Sequence, residues 1–124
     1  MSTILIIEDD SFLAQMYANK LQFSNFSVLV ANDGEKGLSL AKKHNPDLII
    51  LDLILPKKDG LTVLTELKKN QTTKNIPVLV LSNLSQRQEI DQCLNFGAVD
   101  YLIKAHVIPY EVVSRIKEIL LSSS

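Results

Sequence analysis

The sequence predicts an α/β domain in which helices cover both faces of a five-stranded parallel sheet. Short apolar runs alternate along the chain with stretches of helical periodicity. The runs have few polar interruptions, as strands buried on both faces require. Acids or a lysine stand directly after three of the runs, where open α/β sheets carry their working site.

The elements follow in order. Thr3–Ile7 is the first strand. Leu13, Met16, Tyr17 and Leu21 share one face of the first helix, which Asp10 or Ser11 caps. Ser27–Ala31 is the second strand. Gly34–Lys43 is a weaker second helix, capped by Asp33, with Leu38 and Ala41 inward and Asn45-Pro46 ending it. Asp47–Leu51 is the third strand, and Asp59-Gly60 turns into a third helix carrying Leu61, Leu64 and Leu67. Val78–Leu81 is the fourth strand. Ser85 is the N-cap expected for the fourth helix, with Ile90, Cys93 and Leu94 inward and Gly97 as a left-handed close. Val99–Ile103 is the fifth strand. Pro109 suits the first turn of the last helix, where Val112, Val113, Ile116, Ile119 and Leu120 form a stripe of about 100°. Parallel crossovers need a dozen or more residues and are right-handed, which leaves few topologies. The commonest has strand order 2-1-3-4-5, with its switch point between strands 1 and 3.

The chain of 124 residues reads as one domain, 1–124, with its core over about 3–121. It is 46% hydrophobic and 22% charged, so it can bury a core and stay soluble. A formal charge of −1 argues against nucleic-acid or membrane-surface binding. No apolar stretch has the length of a membrane span, and no signal peptide precedes the first strand. Cys93 is the single cysteine, compatible with a cytoplasmic location and expected as a small buried hydrophobe. No output domain is visible in the chain; a stand-alone protein and a piece of a longer one are both open.

Glu8 and Asp9 end the first strand, Asp52 the third and Lys104 the fifth. Strands 1 and 3 flank the predicted switch point, so three carboxylates and an ammonium converge there. Clustered carboxylates resist joint ionisation, and a divalent cation resolves this. An all-oxygen site of this size suits Mg²⁺, or Mn²⁺. Mg²⁺ leaves room for phosphoryl oxygens, to which Lys104 can pair and Ser82, ending the fourth strand, can donate. Asp52, on the central strand, is the candidate nucleophile toward phosphorus. His44 and His106 are expected on the surface, although His106 could also be a pH-sensitive neighbour of Lys104. Lys57 and Lys58 are expected at a solvated loop tip.

These residues resemble the receiver domains of two-component response regulators. The matching motifs are Ile6-Ile7-Glu8-Asp9, Asp52 through Asp59-Gly60, Ser82, and Tyr101 with Lys104, each after a strand. The resemblance covers essentially the whole chain and implies a (βα)5 flavodoxin-like fold. It implies that Asp52 accepts a phosphoryl group from a histidine kinase or a histidine phosphotransfer protein. Asp9, Asp52 and the backbone carbonyl of Ile54 would bind Mg²⁺, and Glu8 would act through a water. Lys104 and Ser82 would contact the phosphoryl group. Tyr101 would change rotamer with Ser82 and alter the surface of helix 4, strand 5 and helix 5, where a downstream target or output domain binds. On residues alone Tyr101 is equally a core-edge residue.

The chain departs from the pattern in places. Ala105 replaces the proline frequent after the lysine; a cis bond before Ala costs about 3 kcal/mol, so a trans or strained Lys104–Ala105 bond and a displaced loop are expected. Asn83 follows Ser82 where a smaller residue is usual, and either narrows access to Asp52 or hydrogen-bonds the phosphoryl group. The resemblance places Ile54 and Leu84 beside the line of water attack; both are apolar, so slow hydrolysis is expected. The expected chemistry is self-directed, with no enzymatic turnover of an external substrate. A non-phosphorylated pseudo-receiver serving as an interaction module is the alternative. An aspartyl phosphatase would carry an acid where Ile54 stands, and a flavin module would need Ser, Thr or Gly after strand 1.

Overall fold

The five apolar runs form the five strands of a parallel sheet in the order β2-β1-β3-β4-β5. The computed structural model describes residues 1–122. The chain runs β1 (Thr3–Ile7), α1 (Ser11–Phe23), β2 (Ser27–Ala31), α2 (Gly34–His44), β3 (Leu48–Leu51), α3 (Gly60–Lys69), β4 (Val78–Ser82), α4 (Arg87–Asn95), β5 (Asp100–Ile103), a 3₁₀ turn (Lys104–His106) and α5 (Pro109–Ser122). The expected α/β class, alternation and strand order are all present.

Successive side chains of a strand point to opposite faces, so each strand feeds two cores. Leu5, Ile7, Ile49, Leu51, Val78 and Val80 pack with Leu38, Val63, Leu64, Leu67 and Cys93 of α2, α3 and α4. Ile4, Ile6, Leu48, Ile50, Leu79 and Leu81 pack with Tyr17, Leu21, Val112, Ile116 and Ile119 of α1 and α5. Both faces are covered, which is why β1, β3 and β4 tolerate no polar interruption. β2 and β5 lie at the edges and are only partly buried.

Local chemistry sets the element ends. Asp10, Asp33 and Asp59 are N-caps whose carboxylates accept N–H groups of the first turns of α1, α2 and α3. α4 starts differently from expectation. Its N-cap is Gln86 rather than Ser85, and the Gln86 N–H donates to the Glu89 carboxylate at 3.2 Å. Gly97, at φ 108°, follows α4; its N–H donates to Leu94 O and the Ala98 N–H to Cys93 O, the paired bonds of a Schellman close.

Several inward faces shift by a residue. In α1, Ala14 and Ala18 are buried with Tyr17 and Leu21, while Leu13 and Met16 are half-buried. Leu94 of α4 is exposed rather than inward, and Val63 of α3 is more buried than Leu61. Asp47 and Val99 fall outside the strands they were expected to begin, and β4 runs on to Ser82. No peptide bond of the described residues is cis, so Lys104–Ala105 is trans as expected. No described helix is long and apolar enough to cross a membrane.

Gly60 fixes the distance between α3 and β3. A Cβ there would lie 2.3 Å from the Asp52 carbonyl oxygen and 2.5 Å from Leu53 Cα, and the Gly60 N–H donates to Leu53 O at 2.8 Å. Backbone, not a flexible side chain, fills that space. Gly60→Ala is expected to cost about 1–3 kcal/mol in urea unfolding and to shift the amide resonances of Asp52 and Leu53. Wild-type stability would show that this contact yields freely.

Candidate functional site

Strand register brings the predicted residues to one edge of the sheet. Ile7 pairs with Leu51, so Glu8 and Asp52 leave adjacent strands at the same level. Ser82 pairs with Ile103, and Lys104 follows directly. The Lys104 Nζ lies 2.6 Å from Glu8 Oε1 and 2.8 Å from Asp52 Oδ2. One carboxylate oxygen from each of Glu8, Asp9 and Asp52 lies within 4.8 Å of the other two. Glu8 is 5% and Asp52 7% exposed, whereas Asp9 is exposed.

The consecutive acids after β1 do different work. Glu8 Oε2 accepts the Asp10 N–H at 3.2 Å, Asp9 contributes to the carboxylate cluster, and Asp10 caps α1. Asp52 is held at both oxygens: Oδ1 accepts the Leu53 N–H at 2.7 Å and Oδ2 accepts from Lys104. Sequence reasoning aimed Lys104 at phosphoryl oxygens and overlooked its pairing with Glu8. The missed signal is that a lysine ending a strand beside buried carboxylates needs them as counter-charges.

Burial pushes the Glu8 carboxyl above the ordinary carboxylate range, and the Lys104 hydrogen bond only partly offsets this. Burial alone would lower the Lys104 ammonium, but its bonds to Asp52 and Glu8 prevail and raise it. With all groups ionised, one ammonium faces three carboxylates. That oxygen-rich, negatively charged donor set fits a hard divalent cation.

Ser82 is 1% exposed, and its Oγ accepts the Leu84 N–H at 3.3 Å. Tyr101 is buried, and its hydroxyl donates to the Leu84 carbonyl at 2.5 Å. Burial raises the Tyr101 phenol, and the nearby Ser82 hydroxyl opposes this in part. Tyr101 is thus packed in the core and joined to the Ser82 loop. Asn83 has a partner that its sequence context did not point to. Its Oδ1 accepts the Ala105 N–H at 3.0 Å.

Ile54 is exposed and Leu84 half-buried. His44 and His106 are exposed, as expected. Lys57 is exposed at φ 68°, but Lys58 is not a free loop tip, because it pairs with Glu66 at 2.8 Å.

The sequence matches the response regulator receiver domain family over residues 4–117. The chain belongs to that family. It is 42% identical over 120 residues to the DNA-binding dual master transcriptional regulator RpaA of Synechocystis sp., covering 97% of this chain and 49% of RpaA. It is 36% identical over 120 residues to the response regulator ArlR of Staphylococcus saprophyticus, covering 97% of this chain and 53% of ArlR. The chain spans about half the length of these curated relatives. The receiver domain of the Francisella response regulator 1452 superposes with a TM-score of 0.92 at 29% identity, covering 100% of both chains. The present chain is therefore a receiver domain of a two-component response regulator, with the flavodoxin-like (βα)5 fold.

The raised Glu8 pKa gives the stability of this receiver domain a pH dependence of known sign. The folded state holds the Glu8 proton more tightly than the unfolded chain, whose value is near 4.5. Glu8's contribution is therefore full below that value and is lost as pH rises through the folded pKa. Lys104→Met removes the group that limits this loss. The variant is expected to lose about 1–3 kcal/mol near pH 7.5 and distinctly less near pH 4, read as urea midpoints. Equal losses at both pH values would contradict the electrostatic account.

Proposed function

We propose that this receiver domain accepts a phosphoryl group on Asp52 from a histidine kinase or a histidine phosphotransfer protein. The reaction depends on Mg²⁺, with Mn²⁺ as a substitute. The observation that carries this reading is the seating of Asp52, central in the sheet and held at one oxygen by Lys104 and at the other by a backbone N–H.

Asp9, Asp52 and the Ile54 carbonyl would hold the cation, with Glu8 acting through a water. Bound there, the cation supplies positive charge to the phosphoryl oxygens. The chain does the rest by positioning and charge neutralisation. The Leu53 N–H orients the Asp52 carboxylate. An Asp52 oxygen forms a bond to phosphorus as the donor's P–N bond breaks, and that bonding pair returns to the imidazole nitrogen. Lys104 then transfers its hydrogen bonding from the Asp52 carboxylate to a phosphoryl oxygen. Ser82 gives up the Leu84 N–H and donates its hydroxyl proton to another.

Leu84 is bonded to both Ser82 and Tyr101, so movement of Ser82 reaches Tyr101 through this residue. The outcome is a two-state shift of the α4, β5 and α5 surface toward a downstream target or output domain. The domain, with its core over about 3–121, acts in the cytoplasm on itself: phosphoryl transfer to Asp52, then hydrolysis. It turns over no external substrate.

Intact-mass measurement after incubation with acetyl phosphate and Mg²⁺ tests the reading. A phosphoryl adduct is expected on the wild type and on neither Asp52→Ala nor a chelator-treated control. An adduct that persists in Asp52→Ala would displace Asp52 from its role. Failure of both acetyl phosphate and a histidine phosphodonor would favour the pseudo-receiver. Ile54 and Leu84 offer no polar atom on their side chains to orient water. The phosphoryl group is accordingly expected to decay slowly, and Ile54→Asn with Leu84→Gln to shorten its lifetime severalfold. An unchanged lifetime would remove these positions from the account.

A further inference from the structure

β5 lies two strands from β3, roughly 10 Å away at ordinary strand spacing. Lys104 must cross that distance, passing the end of β4, to reach Asp52, and go further to reach Glu8 on β1. A lysine stem is long but flexible, so where its ammonium rests depends on where its backbone is held. Pairing with β4 holds β5 only as far as Ile103. Lys104 itself begins the 3₁₀ turn beyond the strand.

The Asn83 side chain acts at this point. Its Oδ1 accepts the N–H of Ala105, the residue directly after Lys104, across 22 positions of sequence. A proline at 105 would have no N–H to give. The bond therefore needs an acceptor side chain at 83 and a residue other than proline at 105, and this chain departs from the family pattern at both positions. The residues after β4 are thus tied to the β5 segment on both sides of Lys104. Tyr101 donates to Leu84 before it, and Ala105 donates to Asn83 after it.

We infer that Asn83 is a positioning residue for Lys104. It holds the backbone that directs the ammonium between Glu8 and Asp52, and it joins that hold to the Ser82 loop. The inference rests on the phosphoacceptor reading for its consequence, while the tie itself exists without phosphorylation.

The test uses the full chain as wild type, Asn83→Ala and Asn83→Asp, with each also made in a Lys104→Met background. The first readout needs no metal or phosphoryl group. The Ala105 amide is expected to exchange with solvent about two- to tenfold faster in Asn83→Ala, the effect of losing one modest hydrogen bond. Asn83→Asp keeps the acceptor oxygen and should keep the protection. In urea unfolding, the effect of Asn83→Ala should shrink once Lys104 is gone, which a double-mutant cycle reads directly.

The second readout is affinity for beryllofluoride, a phosphoryl mimic, at saturating Mg²⁺. Asn83→Ala is expected to weaken it about two- to tenfold, and the weakening should vanish in Lys104→Met. Unchanged Ala105 exchange would overturn the tie. Tighter binding, or weakening that persists without Lys104, would make Asn83 a steric or direct contact and overturn the positioning role. If wild type binds no beryllofluoride and takes up no phosphoryl group, the phosphoacceptor reading fails. The exchange data and the unfolding cycle still decide the role of Asn83.

Discussion

Parallel register forces two buried carboxylates together, and the rest of this site is organised around that fact. Because Ile7 and Leu51 are partners, Glu8 and Asp52 emerge side by side from neighbouring strands. They cannot separate without breaking the β1–β3 pairing in the middle of the sheet. Both are nearly buried, so water screens them little. Lys104 offsets part of the repulsion by bonding to both, and the cap that Asp10 gives α1 keeps a third acid of the same run occupied elsewhere. The arrangement is stable enough to form and still short of positive charge. That is the condition in which a site attracts a cation and an electrophile.

The same edge of the sheet is connected outward through a short loop. Ser82, Asn83 and Leu84 are each bonded, to Leu84, Ala105 and Tyr101 respectively. The loop leads directly into α4, which buries Cys93 alone, whereas α5 buries Val112, Val113, Ile116 and Ile119. A helix anchored by so little apolar surface shifts at lower cost than one anchored by four side chains. On the proposed reading, a change at Ser82 is therefore delivered to α4 as well as, through Leu84, to Tyr101 of β5.

The fold was legible because its main signals are one-dimensional. Unbroken apolar runs mark doubly covered strands, and Asp10, Asp33, Asp59, Gly97 and Pro109 mark helix ends through local bonds or local backbone geometry. The meeting of Glu8, Asp9, Asp52 and Lys104 was legible for the same reason, since strand order and direction alone place them. The departures have physical causes as well. Asp47 and Val99 each donate one backbone N–H to the neighbouring strand, to Thr3 O and Val78 O, but lie just outside the paired ladder, whose extent rather than residue type decides the boundary. Leu94 turned outward because α4 is short and presents a narrow inward face; Ala14 and Ala18 turned inward because small residues let α1 approach the sheet. The Asn83–Ala105 bond joins loops 22 residues apart, and no periodicity encodes such a contact.

Having a single lysine at the site explains why a cation and a phosphoryl group would act together there. Lys104 serves Glu8 and Asp52 at once. On the proposed reading, phosphorylation of Asp52 exchanges a carboxylate charge for a phosphoryl group of greater charge, and the ammonium is drawn to it. Glu8 would then lose its nearest counter-charge while remaining buried, with Asp9 close by. Uncompensated buried charge is strongly unfavourable, so one ammonium cannot neutralise the phosphorylated state. A divalent cation held by Asp9 and Asp52 would supply the missing charge. On that reading, dependence on metal would follow from the ratio of acids to bases at the ends of these strands.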